Sequence, residues 1–229
     1  MKKKAADKKM EQFAVIGLGQ FGLSLAAALA AGGKEVLAID TAEDKVNAAA
    51  GIATHTVTAD ASDVSVLKTL DIAAFDAVIV CVGDLEASVL ITLSLKEMNV
   101  QRVIVKAADE RHRKVLEKIG ADTVVQPEAD MARKMASLLI NRRLHDLMEL
   151  NDSFSILEIS VPASWGGKTV MELNIRQRFG VNIILVLTGG GKDAVLPGGA
   201  TVLNENDDLV VGGSNRDIDK FVKATARLK

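Results

Sequence analysis

Phe13-Ala14-Val15-Ile16-Gly17-Leu18-Gly19-Gln20-Phe21-Gly22 is the stretch that decides the fold. An apolar run ends in glycine, and an Ala- and Leu-rich segment then continues to Ala31 before Gly32-Gly33. This pattern predicts a buried strand, a tight turn and a helix with a glycine stop. Between a strand and a helix, Gly-x-Gly-x-x-Gly reads as a phosphate loop. Gly17 permits the turn, Gly19 leaves backbone N–H groups open to a pyrophosphate, and Gly22 lets the helix lie close to the sheet. The helix N-terminus adds free donors and a positive dipole.

Working outward, Glu35-Val-Leu-Ala-Ile-Asp40 predicts a second strand, and Asp40 lies 21 residues beyond Gly19. A carboxylate there reaches the ribose hydroxyls of an adenine nucleotide and repels a 2′-phosphate, which disfavours NADP. Thr41 to Asp44 has the form of a capping box opening a second helix. His55–Thr58 reads as strand three. Asp60 and Ala61 follow it, with Asp60 open between an adenine contact and a helix cap, and Ser62 reads as the cap of a helix through Leu70. Phe75–Val82 predicts strand four, which places Val82 and Gly83 at the crevice beside the first strand. A helix over Leu85–Met98, a strand over Arg102–Lys106, a helix from Asp109 to Ile119 and a short strand over Thr123–Val125 complete the alternation. Short apolar strands joined by helices imply parallel pairing with right-handed crossovers, so residues 13–126 read as a doubly wound α/β sheet of Rossmann type.

The rhythm then changes. Residues 127–150 read as one connector helix, with Met131, Met135, Leu138, Leu139, Leu144 and Leu147 near helical spacing. Residues 151–229 read as a small α+β unit. Leu157, Ile159 and Val161 show a strand period, and Val181–Leu187 and Asp208–Val211 are further strands. Gly189-Gly190-Gly191 and Pro197-Gly198-Gly199 are turns, and Asn215–Leu228 is a closing helix. Residues 1–12 read as a disordered leader, with five lysines in the first nine positions and no apolar segment behind them to make a secretory signal.

Composition narrows the function. The 229 residues carry 28 Lys and Arg against 30 Asp and Glu, so there is no basic field for nonspecific nucleic-acid binding. Aromatics are only 3%, which leaves few stacking platforms for single strands. The hydrophobic share of 48% excludes global disorder, yet no apolar run approaches the roughly 20 residues of a membrane span. The single cysteine, Cys81, excludes an intramolecular disulfide and reads as a buried thiol. His55, His112 and His145 fall in no catalytic pattern and read as solvated surface. An NAD-dependent oxidoreductase is the alternative class for such a glycine loop. It needs a proton donor beside the reacting carbon, and the Gly-rich C-terminal unit, with no histidine, offers none.

Taken together, Phe13–Gly22, Glu35–Asp40, Glu117-Lys-Ile-Gly-Ala-Asp122, Pro127-Glu-Ala-Asp-Met131 and Asn174-Ile-Arg-Gln-Arg-Phe-Gly180 resemble the RCK-domain gating subunits of Ktr/Trk potassium-uptake systems. The likeness runs from Phe13 to Leu228. It implies a non-enzymatic regulatory subunit that binds ATP or ADP, and in some members NAD(H). Its subunits would pair by exchanging the connector helix and assemble into an octameric ring. The ring would sit in the cytoplasm, against the inner face of the membrane, beneath an integral-membrane potassium-translocating subunit. Carried over by position, Gly17, Gly19 and Gly22 hold the phosphates with Gln20 and Phe21 beside them. Asp40 and Thr41 take the ribose, and Asp60 and Ala61 the adenine edge. Val82, Gly83 and Lys106 border the crevice. Glu128 stands where relatives place an acid near a γ-phosphate and its divalent cation, magnesium. In some relatives the C-terminal subdomain binds cyclic di-AMP, here through Asn174–Phe179. Close relatives often carry arginine where this chain has Gln20, a side chain that donates hydrogen bonds without charge.

Overall fold

A computed structural model describes residues 11–140, 144–151 and 153–226. The chain divides into two compact units, Met1–Pro127 and Glu128–Lys229. In the first unit the elements alternate: β1 (Gln12–Ile16), α1 (Gln20–Ala31), β2 (Glu35–Asp40), α2 (Glu43–Ala49), β3 (His55–Thr58), α3 (Val64–Thr69), β4 (Ala77–Val80), α4 (Leu85–Glu97), β5 (Val103–Lys106), α5 (Glu110–Lys118) and β6 (Thr123–Val125). The strands form one sheet in the order β3-β2-β1-β4-β5-β6, and every pairing is parallel. Chain order therefore reverses between β1 and β4, and the crevice at that switch point lies outside the strands' carboxyl ends.

The central strands are buried on both faces because alternate side chains enter different layers. Ala14, Ile16, Val78 and Val80 join the layer holding Ile91, Leu95 and Leu116. Val15, Ile79 and Cys81 join the opposite layer with Leu18, Ala26 and Val46. That is why these strands read as continuous apolar runs rather than as alternating ones.

The second unit holds α6 (Pro127–Ile140), β7 (Leu144–Asn151), β8 (Phe154–Ser160), α7 (Val170–Leu173), α8 (Ile175–Phe179), β9 (Asn182–Thr188), β10 (Asp193–Val195), β11 (Asp208–Ser214) and α9 (Asn215–Ala226). Its five strands run antiparallel in the order β10-β9-β11-β8-β7. The core centres on Trp165, Phe179 and Phe221, whose ring centroids lie 5.5 to 6.4 Å apart.

Several expectations need correction. The helix expected over residues 127–150 ends at Ile140, and Leu144–Asn151 is a strand. The β7–β8 register shifts at Leu144/Asp146 and again at Glu149/Asn151. A bulge places two inward residues three apart, as Leu144 and Leu147 are here, and that spacing imitates a helix. The leader expected over residues 1–12 overlaps β1, because Gln12 pairs with Glu35; residues 1–10 lie outside the described residues. The expected end of the last helix at Leu228 also lies outside them. Thr41 forms no capping box, since α2 opens at Glu43 behind Ala42 without a side-chain cap. Ser62 donates its hydroxyl to Asp60 at 2.6 Å, and Asp63 caps α3 instead.

His112 is the largest departure. It is 1% exposed rather than solvated. Its Nδ1 accepts the Ala108 N–H at 3.2 Å, which puts the proton on Nε2, 3.2 Å from Ser88 Oγ on α4. Burial holds its pKa below the usual 6.5, and Asp109 pulls only part of the way back. The unfolded chain then binds a proton that the folded chain resists, so stability is complete above about 6.5 and is lost as pH falls below it. The melting temperature is expected to drop between about pH 7 and pH 5, and His112→Asn to flatten that slope. An equally steep slope in the variant would contradict this assignment.

Candidate functional site

The loop between β1 and α1 is held by backbone contacts that leave no room for a side chain at two of its glycines. Gly17 has φ +93°, and a Cβ there would lie 2.9 Å from the backbone of Cys81 and Val82. Its N–H donates to Ile39 O at 2.8 Å. A Cβ on Gly22 would sit 1.9 Å from Gly17 O. Gly19 is different: a Cβ there would meet nothing within 4 Å. Glycine at that position is not demanded by packing, which leaves space in front of the helix.

Gly19 is also the N-cap of α1, and no side chain caps it. The first helical bond runs from Leu23 N–H to Gly19 O at 2.9 Å, so the amides of Gln20, Phe21 and Gly22 precede the helical ladder. No acidic residue occupies the first turn. The result is a helix N-terminus with donors and a positive dipole end facing open space.

Asp40 closes the other side. It is 8% exposed. Oδ2 accepts the Leu18 N–H at 2.6 Å, and Oδ1 accepts the Ala42 N–H at 2.9 Å. Lys45 on α2 brings its ammonium to 3.7 Å from Oδ2. Asp60, at the end of β3, accepts both the hydroxyl and the N–H of Ser62, which hold its carboxyl below the usual range.

These elements enclose a cleft of about 370 Å³ at the switch point. Gly17, Gly19, Asp40, Thr41, Asp60, Ala61, Val82 and Gly83 line it, as the sequence predicts. The other expected residues do not. Gln20 is exposed at the start of α1, and Gly22 is buried beneath the loop. Phe21 turns its side chain away, packing with Phe13, Leu25 and Leu29 in the opposite layer. Lys106 is half-buried at the end of β5. Glu128 lies in the first turn of α6, in the second unit. Among the described residues, no group of three or more His, Cys, Asp or Glu gathers to hold a metal ion.

Sequence reasoning missed Lys45, Ser62, Asp84, Ala87 and Ile91, which also line the cleft. The signal for Asp84 was present in an acid directly after the strand-ending Val82-Gly83, one residue before a helix. A second cavity, of about 260 Å³, lies in the C-terminal unit between Met171, Asn174, Arg176, Asn182, Pro197 and Gly199. Arg178 is not among its lining residues: its guanidinium lies 5.0 Å over the Phe179 ring and donates to Leu173 O.

A nucleotide-type Rossmann unit followed by a small antiparallel unit defines the class of protein. Residues 13–127 match the TrkA-N domain family, and residues 155–226 match the TrkA-C domain. Ktr system potassium uptake protein C of Bacillus subtilis (strain 168) is 44% identical over 221 residues, covering 96% of this chain and 99% of that protein. Ktr system potassium uptake protein A of the same organism is 42% identical over 214 residues, covering 93% and 96%. Among solved structures, the GsuK channel bound to NAD matches with a TM-score of 0.68 and 21% identity. That match covers 98% of this chain but only 41% of the channel chain, so this chain spans less than half of it. The chain belongs to the Ktr/Trk family of potassium-uptake system proteins. No helix among the described residues is long and apolar enough to cross a membrane.

The glycine contacts separate packing from ligand space. Gly22→Ala is expected to lower stability by about 2–4 kcal/mol, because the new methyl collides with backbone rather than with a flexible side chain. Gly19→Ala, at φ −67° in open space, is expected to unfold at nearly the wild-type midpoint in urea. Equal midpoints for both variants would refute this division.

Proposed function

We propose that this chain is the cytoplasmic regulatory subunit of a potassium-uptake system, and that an adenine nucleotide in the first unit's cleft sets its state without being consumed. The observation that carries the reading is the uncapped N-terminus of α1 at Gly19, flanked by the buried carboxylate of Asp40. A diphosphate takes the amides of α1, the ribose hydroxyls take Asp40 and Thr41, and the adenine lies against Asp60 and Ala61. Because Asp60 is held as a carboxylate by Ser62, it presents an acceptor to the ligand even below the ordinary carboxylate range. The NAD-bound state of the GsuK channel supports a ligand of the adenylate class: ATP, ADP or NAD(H).

In this reading the subunits pair by exchanging α6, whose Met131, Met135 and Leu139 are 50 to 74% exposed within the chain. The pairs close into an octameric ring against an integral-membrane potassium-translocating partner at the inner face of the membrane. Glu128 would serve as a ligand of a magnesium ion that accompanies a triphosphate, since a bare acid and a γ-phosphate repel each other. The cavity beside Asn174 and Arg176 is the place for cyclic di-AMP. Ligands act by binding two arrangements of the ring with different affinity, and only that difference shifts the equilibrium.

A ligand of the native state alone adds about 2.7 kcal/mol at a hundredfold excess over its Kd. Purified protein is therefore expected to melt several degrees higher with ADP, ATP or NADH. Asp40→Asn keeps only one carbonyl acceptor for two loop amides, and is expected to weaken binding at least about tenfold by calorimetry. Wild-type affinity in that variant, or no shift with any adenylate, would refute the site. Light scattering is expected to give a particle many times the 24.3 kDa of one chain, and a monomer at micromolar concentration would refute the ring.

A further inference from the structure

His112 is a buried titratable side chain that the adenylate site does not use, yet it touches the helix that walls that site. The ring is 1% exposed and lies between α5, which carries it, and α4. Its Nδ1 accepts the Ala108 N–H at 3.2 Å, in the turn that leads from β5 into α5. Its Nε2 lies 3.2 Å from Oγ of Ser88, a fully buried residue in the first turn of α4. Ala87, beside Ser88, and Ile91, on the next turn, line the cleft. One side chain thus joins the β5–α5 turn to the cleft wall, and it does so only while Nδ1 carries no proton.

Protonation reverses the contact at Ala108. The imidazolium carries an N–H on both nitrogens, so two donors then face each other and a charge stands out of reach of water. The elements around the ring bear these charged groups near it: Asp109, Arg111 and Arg113 at the start of α5, Lys106 at the end of β5, and Asp84 and Glu86 at the head of α4. Strand β6, which packs on α5, bears none. Of these groups Asp109 draws the ring toward its charged form, and burial outweighs it. Its Oδ1 already accepts the N–H groups of Arg111 and His112 as the cap of α5. We propose that His112 is an acid-sensitive latch: its protonation opens the β5–α5 turn, releases Ser88 and the head of α4, and weakens the hold of the cleft on an adenylate. This rests on the adenylate reading above and adds a regulation to it, an affinity that falls as the surroundings turn acid. By linkage, a ligand that needs the neutral ring in place also resists its protonation by the same factor.

The test compares the full chain with His112→Asn and His112→Gln at about pH 7.5 and about pH 5, by hydrogen exchange and by calorimetric titration with ADP. Neither amide side chain titrates in that range, and each offers a carbonyl acceptor for the Ala108 N–H. With two variants, poor folding of one leaves the comparison intact. ADP takes up a proton on its terminal phosphate over the same range, and the variants carry that background alone. Between the two pH values the wild-type amides of residues 107–113 are expected to lose about tenfold more protection than those of the variants. Wild-type ADP affinity is expected to fall about fivefold further than theirs. The same fall in affinity in wild type and variants overturns the latch and leaves the adenylate reading standing. Loss of protection in the wild type without the extra fall in affinity overturns its link to the cleft. A wild type that binds no ADP at about pH 7.5 removes the adenylate reading and this inference together.

Discussion

The hydrogen bond from the Leu18 N–H to Asp40 Oδ2, 2.6 Å long, joins the glycine loop to the end of β2. It is charge-assisted and shielded from water, which puts it among the stronger hydrogen bonds a protein makes. Two backbone bonds act beside it: Gly17 N–H to Ile39 O at 2.8 Å, and Cys81 N–H to Ile16 O at 2.7 Å. The loop is thereby fixed between its two neighbouring strands, with its amides already aimed at the cleft. Amides held in this way would lose little entropy on meeting an anion. Asp40 therefore organises the loop, and in the proposed function it also faces the ligand, so a change there would alter both.

The same constraint explains the pattern of glycines. Gly17 and Gly22 are required by the close approach of β1, α1 and the chain after β4. Gly19 has no such neighbour, so packing within the described residues does not require its lack of a side chain. Around that point the cleft is framed by carboxylates on both flanks, with the helix N-terminus between them.

Much of this was legible in the sequence. The first unit's order of elements follows from continuous apolar runs separated by helical segments, because burial on both sheet faces removes alternation and leaves only length and punctuation to read. The residues at and after the ends of β1, β2, β3 and β4 were legible as lining a cleft because a parallel sheet places its crevice there. What failed was local and depended on tertiary partners. Phe21 belongs to the loop in sequence but to the core in space, since a helix turns it about 100° away from Gln20. His112 sits in a run of charged residues, and nothing in that run shows that Ser88 of α4 comes to cover it. Leu144 and Leu147 imitate a helix because bulges reset the strand's period. Lys45 and Asp84 were overlooked because each looks like an ordinary first-turn or capping residue of a helix.

The central claim is that a diphosphate rests on the α1 N-terminus at Gly19 with its ribose against Asp40. Its most direct test is a crystal structure of the full chain grown with ADP. The account predicts phosphate oxygens within hydrogen-bond distance of the amides that open α1, and ribose hydroxyls on the Asp40 carboxylate. ADP bound elsewhere, or a cleft holding only solvent at saturating nucleotide, would contradict it.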